Sequence, residues 1–146
     1  MKNKITTIIT LYKTPSEKLK NLNQYKSFDL KIFEQEGSLT SKKKIQKTLK
    51  RKFDYFYSAN NIGLPKASNF LLKKVKSKYL LFTQADVKIK KKSILNLVKI
   101  FKKNKNIICV TPKIINRSRE VMKKKQISFV KNIKASCMIC DVEKLK

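Results

Sequence analysis

The chain has 146 residues, with 37 Lys and Arg against 9 Asp and Glu, and its formal net charge is +28. Its apolar content of 41% excludes an intrinsically disordered chain, and its length predicts one domain, residues 1–146, large enough to bury a core. No apolar run reaches the roughly 18 residues that a transmembrane helix needs, so we expect no membrane span.

The positive charge raises the question of which partners the chain attracts. Nucleic acid is one alternative, but the lysines are spread over every predicted element, and no helix-turn-helix, zinc or RNA-recognition signature accompanies them. We therefore do not expect nucleic acid as the main partner. The charge favours anionic ligands such as nucleotide diphosphates, and peripheral contact with an anionic membrane surface.

The first part of the chain alternates strand and helix signals. Residues 5–11 predict a strand, because the run is short, rich in Thr and lacks the small-residue cleavage site of a signal peptide. Thr14, Pro15 and Glu17 have the spacing of an N-cap, a first-turn proline and a capping-box glutamate, which predicts the start of a helix. Further strands are predicted at residues 28–34 and 53–57.

Residues 61–89 contain the clearest pattern in the chain. Residues 79–83 are a continuous apolar run of the kind found in strands covered on both faces. The helix before them has Pro65 in its first turn, and Gly63 just ahead permits a positive φ. Asp86 follows the strand and is the only carboxylate between Asp54 and Glu120. Because ligands of open α/β sheets bind beyond the carboxyl ends of the strands, Asp86 is the first candidate for a functional residue.

The remaining elements complete an α/β pattern. A helix capped by Ser93 is predicted to run to Lys103, and strands are predicted at residues 106–111, at 126–130 on an edge, and at 135–140. Strands alternating with helices predict a Rossmann-like, mainly parallel sheet flanked by helices.

Three cysteines, Cys109, Cys137 and Cys140, are typical of a reduced compartment and predict a cytoplasmic protein. Cys137 and Cys140 form a C-x-x-C pair. The sequence contains no histidine and no second cysteine pair that would complete four zinc ligands, so we predict buried strand cysteines instead of a metal or redox site.

Two segments resemble glycosyltransferase family 2. Residues 61–69, NIGLPKASN, resemble the family's N-x-G-(aromatic or aliphatic)-x-x-A-x-N segment, and residues 80–87, LLFTQADV, resemble its LLFLNPDV element, a variant of the D-x-D motif. Either segment alone is a weak signal, whereas both at a suitable spacing are fairly specific. The resemblance is to rhamnosyltransferase-like members and covers nearly the whole chain, but only the donor-binding half of the enzyme. It implies a C-terminally truncated nucleotide-diphospho-sugar transferase (GT-A) fold.

The resemblance implies two contacts to the nucleoside of a sugar donor. Tyr12 matches the middle of the family's TYN sequence, although Leu11 and Lys13 depart from it. Gln35 stands at the aspartate of the family's Asp-x-Gly-Ser, and its amide can still hydrogen-bond a uracil or ribose edge. The structural alternatives are a tyrosine that merely closes a strand and a glutamine in a solvated turn.

The resemblance also implies contacts to the diphosphate and a metal. Asn61 and Gly63 either shape their loop or touch the diphosphate or ribose, and Asn69 lies off the apolar stripe of its helix, either as a ligand contact or simply solvated. In the family, Mg²⁺ or Mn²⁺ bridges the acidic motif and the diphosphate. Here Asp86 would be the metal ligand and Gln84 could add a neutral carbonyl, while the alternative makes Asp86 a turn residue that bonds its own backbone.

The function implied by the resemblance is transfer of a sugar from a nucleotide-diphosphate donor to a glycan or lipid-linked acceptor in cell-envelope polysaccharide synthesis. No residue corresponds to the catalytic base of the family's later "ED" element, so the sequence assigns no catalytic residue. Two alternatives stay open: a non-catalytic nucleotide-sugar binder, and a basic protein that binds nucleic acid or the inner face of a membrane through diffuse charge.

Overall fold

The computed structural model describes residues 4–36, 39–112 and 136–145 of the chain. The strands are β1 (Ile5–Tyr12), β2 (Asp29–Gln35), β3 (Asp54–Ser58), β4 (Tyr79–Thr83), β5 (Cys109–Val110) and β6 (Cys137–Asp141). The helices are α1 (Ser16–Leu19), which continues as a 3-10 helix (Lys20–Tyr25), α2 (Leu39–Leu49), α3 (Leu64–Leu72), α4 (Lys91–Lys103) and α5 (Val142–Leu145).

The strands form one sheet in the order β3-β2-β1-β4-β6-β5. β1 pairs in parallel with both β2 and β4, and β2 pairs in parallel with β3. β6 lies between β4 and β5 and is antiparallel to both. The predicted Rossmann-like, mainly parallel sheet is therefore confirmed. The strand order reverses between β1 and β4, and such a reversal leaves a crevice beyond the carboxyl ends of the two strands.

Helices cover both faces of the sheet, because the central strands are apolar on both faces. All five residues of β4 are buried. One core cluster packs the sheet against α1, α2 and α4, and it includes Ile9, Leu81 and Ile94. A second cluster on the opposite face packs the sheet against α3 and α5, and it includes Ile8 and Leu71. The strand predicted at residues 79–83 is thus confirmed as one buried on both faces.

Both predicted helix caps are wrong. Pro15 has a ψ of 144°, which is extended backbone, so α1 begins one residue later and Thr14 lies outside the helix. α4 begins at Lys91, because the N–H of Ser93 already bonds to the carbonyl of Lys90 at 2.9 Å. Neither helix start has a side-chain cap.

The structure differs from prediction after α4 as well. The strand predicted at residues 106–111 is reduced to the two residues of β5. The edge strand predicted at residues 126–130 lies outside the described residues. Within the described ranges, no helix is long and apolar enough to cross a membrane.

The cysteines lie in strands, as predicted. Cys137 and Cys140 are buried in β6, and Cys109 in β5 is the direct cross-strand partner of Cys140. The Sγ atoms of Cys109 and Cys140 are 2.7 Å apart; this contact lowers the pKa of Cys109 and, together with burial, raises that of Cys140. Because side chains alternate along a strand, Cys137 and Cys140 point to opposite faces and do not form a joint C-x-x-C site.

Candidate functional site

A pocket of about 450 Å³ opens where the strand order reverses, beyond the carboxyl ends of β1 and β4. Its wall is formed by β1 and the segment after it, the end of β2, the loop before α3 and the segment after β4. The lining residues are Thr10, Tyr12, Thr14, Pro15, Lys18, Gln35, Asn61, Gly63, Leu64, Gln84, Ala85 and Asp86.

The structure brings most of the sequence-predicted site residues to this pocket. Tyr12, Gln35, Asn61, Gly63, Gln84 and Asp86 all line it. Asn69 does not, because it lies on the exposed side of α3 away from the pocket wall. Contact of these residues with a ligand stays a prediction, but the shared location is what a donor site requires.

Asp86 stands in a short turn directly after β4. The turn is closed by the backbone N–H of Val87, which donates to the Gln84 carbonyl at 3.2 Å. The Asp86 side chain is exposed and lines the pocket. Among the described residues its carboxylate accepts no hydrogen bond, so the alternative in which Asp86 bonds its own backbone gains no support.

Side chains of the first helical segment clamp the stretch that follows β4. Asn21 Nδ2 donates to the Ala85 carbonyl at 3.0 Å, across 64 positions of sequence. Gln24 donates to the Val87 carbonyl at 2.6 Å and accepts from the N–H of Ile89 at 2.7 Å. These bonds fix the backbone on both sides of the candidate carboxylate, so the clamp residues position the site without lining it.

Tyr25 reinforces this clamp from the core. Its side chain is fully buried, and its hydroxyl shares a hydrogen bond with the Thr83 hydroxyl at 3.1 Å and donates to the Val87 carbonyl at 3.4 Å. Burial raises the pKa of Tyr25 well above its usual range, an effect that the bond to Thr83 only partly opposes. The phenol therefore stays protonated and keeps its donor.

We expect Gln24→Leu to loosen the segment after β4. The substitution removes both the donor to Val87 and the acceptor for the Ile89 N–H, and an unmade bond of this kind is worth about 1–1.5 kcal/mol. Hydrogen exchange of the Ile89 amide, followed by NMR, should become about tenfold faster. Gln46→Leu is the matched control, since Gln46 donates to the Arg51 carbonyl on the exposed surface of the chain. Equal exchange at Ile89 in both variants would contradict the clamp.

Gln35 serves the pocket partly as a structural residue. It is the last residue of β2, only 2% exposed, and its Oε1 accepts the N–H of Ile62 at 2.8 Å. It therefore belongs to a strand end and not to a solvated turn. Only its side-chain NH₂ group is left to donate to a ligand.

The loop before α3 is built by Asn61 and Gly63. The Oδ1 of Asn61 accepts the N–H of Gly63 at 2.9 Å, which closes the loop. Gly63 has φ 82° and ψ 151°, a conformation that glycine alone adopts readily, and this confirms the positive φ predicted from sequence. The loop-shaping alternative is thus present in the structure, and it leaves Gly63 on the pocket wall.

Tyr12 lies at the mouth of the pocket and is 46% exposed. Lys13 follows it with φ 45°, in the left-handed region that Asn occupies at lower cost than Lys. The Lys13 ammonium sits 5.3 Å from the centroid of the Tyr12 ring and 3.2 Å from the Glu36 carboxylate. The hydrogen bond to Glu36 raises the pKa of Lys13.

Sequence reasoning missed several lining residues, among them the polar residues Thr10 and Lys18. The Thr10 hydroxyl is buried and has no partner within the described residues. Lys18 is exposed on α1. Neither stands in a recognisable motif; the only available signal was the proximity of both residues to the carboxyl end of the first predicted strand.

Of the lining residues, Asp86 is the one carboxylate and Lys18 the one cation. In the described ranges, no three His, Cys, Asp or Glu side chains lie together as a metal site would need. The Asp86 carboxylate and the side-chain carbonyl of Gln84 therefore do not form an all-protein metal site. They fit a divalent cation that takes its other ligands from water and a diphosphate, as Mg²⁺ commonly does.

A second, larger groove of about 1020 Å³ lies at the opposite edge of the sheet, where β1, β2 and β3 begin. Lys31 at its floor is nearly buried and contacts Asp54 at 2.5 Å and Asp29 at 3.4 Å. Burial alone would lower the pKa of Lys31, but the two carboxylates raise it on balance. The other cations lining the groove are Lys26, Arg51, Lys73, Lys74 and Lys76.

The sequence matches one family model, described as "Glycosyl transferase family 2", over residues 33–141. No curated protein matches it. Among solved structures, residues 1–349 of TarS from S. aureus in complex with UDP match with a TM-score of 0.72 at 18% identity, and the match covers 97% of this chain and 48% of that 1–349 chain. This chain thus spans about half the length of that structure.

Two further structures share the fold. The mannosyltransferase PcManGT from Pyrobaculum calidifontis, in complex with GDP-Man and Mn²⁺, has a TM-score of 0.61 at 15% identity, covering 75% of this chain and 35% of its own. A 4-diphosphocytidyl-2C-methyl-D-erythritol synthase from Anaerococcus prevotii has a TM-score of 0.57 at 16% identity, and the match covers 98% of this chain and 72% of the synthase chain. At these identities the likeness shows the fold alone.

Proposed function

This chain belongs to glycosyl transferase family 2, and from that premise we propose that its pocket binds the nucleotide diphosphate of a sugar donor. The observation that carries the proposal is the gathering of Asp86, Tyr12, Gln35 and the Asn61–Gly63 loop in one pocket, at the point where the strand order reverses. A crevice of this kind is where open α/β sheets bind nucleotides.

The pocket supplies the groups that such a donor needs. The Tyr12 ring at the mouth offers an aromatic face to a base, and the Gln35 NH₂ group offers a donor to the nucleoside. Mg²⁺ or Mn²⁺ held by Asp86 would offset the charge that builds on a leaving nucleoside diphosphate. TarS was solved in complex with UDP, and the mannosyltransferase in complex with GDP-Man and Mn²⁺, so these ligands are the first to test.

We further propose that the sugar passes to a glycan or lipid-linked acceptor in cell-envelope polysaccharide synthesis, at the cytoplasmic face of the membrane. The resemblance of residues 61–69 and 80–87 to the family's segments supports the acceptor class, and the high positive charge of the chain supports contact with an anionic membrane surface. The proposal names no catalytic base, because no described carboxylate other than Asp86 lines the pocket.

Calorimetric titration tests the donor site. The chain is titrated with UDP, GDP, dTDP, UDP-GlcNAc and GDP-mannose, each with Mn²⁺ and with EDTA, at about 0.15 M salt so that diffuse surface charge is screened. We expect at least one of these nucleotides to bind more tightly than inorganic pyrophosphate, which carries the charge without the nucleoside. Equal affinity for pyrophosphate and all nucleotides, or no binding by the folded chain, would refute the donor site. Binding without consumption of any donor would leave a non-catalytic nucleotide-sugar binder.

The basic groove at the opposite edge of the sheet favours a second candidate function, binding of a polyanion through charge. Five cations lie around it in addition to Lys31, whose charge is balanced by Asp29 and Asp54. Affinity for duplex DNA or anionic vesicles that falls steeply with salt, and that Asp86→Ala leaves unchanged, would favour this candidate.

A further inference from the structure

We propose that Lys18 binds the diphosphate of the nucleotide, so that the pocket holds a nucleoside diphosphate without any divalent metal. This inference rests on the proposed donor site. It deepens that proposal by naming the group of the protein that balances the charge of the ligand.

When no metal is bound, the charge of the pocket makes a cationic side chain necessary. A nucleoside diphosphate carries roughly two to three negative charges near neutral pH, because the second ionisation of a terminal phosphate lies near pH 6. Asp86, which lines the same pocket, adds a further negative charge. A pocket that offered only this carboxylate would repel the diphosphate, and Lys18 is the one cationic residue in its described wall.

The neighbouring lysine does not fill this role. Lys13 is closer to Tyr12 in sequence, but its ammonium is engaged by the Glu36 carboxylate at 3.2 Å, and it is not part of the pocket wall. Lys18 makes no ion pair with any described residue, and its side chain is exposed. Its charge is therefore available to a ligand.

The backbone holds Lys18 at the wall of the pocket. Its N–H donates to the Pro15 carbonyl at 3.0 Å, and Pro15 itself lines the pocket. The next residue, Leu19, is 3% exposed and belongs to the main core cluster. The position of the lysine on α1 is thus fixed by packing, and only the side chain has to be ordered when a charge-assisted hydrogen bond to phosphate forms.

The test compares Lys18→Ala with Lys20→Ala. Lys20 lies two positions further along the chain, is exposed and does not line the pocket, so its substitution removes the same charge outside the site. Each variant is titrated with UDP, GDP and uridine in EDTA at about 0.15 M salt. We expect Lys18→Ala to weaken nucleoside diphosphate binding about tenfold or more, Lys20→Ala to change it less than about twofold, and Lys18→Arg to restore it. Uridine, which has no phosphate, should bind all variants alike.

Two outcomes would overturn the inference and are distinguishable from each other. If UDP or GDP binds only with Mn²⁺, or if the Lys18 and Lys20 variants behave alike, Lys18 does not hold the diphosphate and the donor site itself stands. If no nucleotide binds the folded chain with or without Mn²⁺, the proposed function fails and the inference falls with it.

Discussion

Asp86→Asn is expected to abolish the gain in nucleotide affinity that Mn²⁺ provides, while the chain stays folded. Asparagine keeps the shape of the side chain and removes the one carboxylate of the described pocket wall. A hard divalent cation loses its charged oxygen ligand and is left with neutral carbonyls and water. We expect the ratio of affinities with Mn²⁺ and with EDTA to fall from about tenfold or more to near one.

We expect the same substitution to have no such cost when metal is absent, where it should leave nucleotide affinity unchanged or raise it. Without metal, Asp86 repels the diphosphate, so the affinity of the variant in EDTA should equal or exceed that of the wild type. Glu143→Gln is the control, because Glu143 is an exposed carboxylate on α5 outside the pocket and its loss changes the net charge equally. A Mn²⁺ gain that survives in Asp86→Asn would place the metal site elsewhere.

Leu81→Ala is expected to lower the free energy of unfolding by about 3 kcal/mol. Leu81 is the central residue of β4 and is fully buried in the main core cluster. Its direct neighbours across the sheet are Thr7 of β1 and Ile139 of β6. Loss of three side-chain carbons here, Cγ and the two methyl groups, leaves a cavity between the sheet and the helices of the main core cluster, which the surrounding structure fills only in part. Urea denaturation followed by circular dichroism measures the change.

The matched control for this core substitution is Leu145→Ala. Leu145 lies in α5 and is 38% exposed, so the same chemical change should alter the free energy of unfolding by less than about 0.5 kcal/mol. If both variants unfold at the same urea concentration, β4 is not the centre of the core.

The sequence was sufficient to predict the fold where local pattern and tertiary role agree. The apolar run of β4 predicts a strand that is buried on both faces, and the structure has one. Gly63 stands where the backbone takes a positive φ. Asp86 was found because a lone carboxylate directly after a buried strand has few structural reasons to be there. Such features depend on residues close together in sequence, which is why they could be read from one chain.

The features that could not be predicted depend on contacts between distant residues. The hydrogen bonds from Asn21 and Gln24 join residues more than sixty positions apart in sequence, and the periodicity of the helical segment does not predict them. The link from Gln35 to Ile62 and the pairing of Cys109 with Cys140 are of the same kind. The N-cap predicted at Thr14 is wrong for a local reason: Pro15 has an extended ψ, so α1 begins only at Ser16.

The position of β6 between β4 and β5 has a consequence for how the protein is made. While the chain emerges from the ribosome, β1 and β4 can pair, but the other side of β4 stays open until β6 has been synthesised. Roughly fifty residues separate Thr83 from its partner Cys137, which is several seconds of translation at about 5–20 residues per second. During that time the nascent chain displays an unpaired and mostly apolar strand edge, which is a template for aggregation. The basic residues that flank this strand, Lys76 and Lys78 before it and Lys88 after it, are placed to keep nascent chains apart through mutual repulsion.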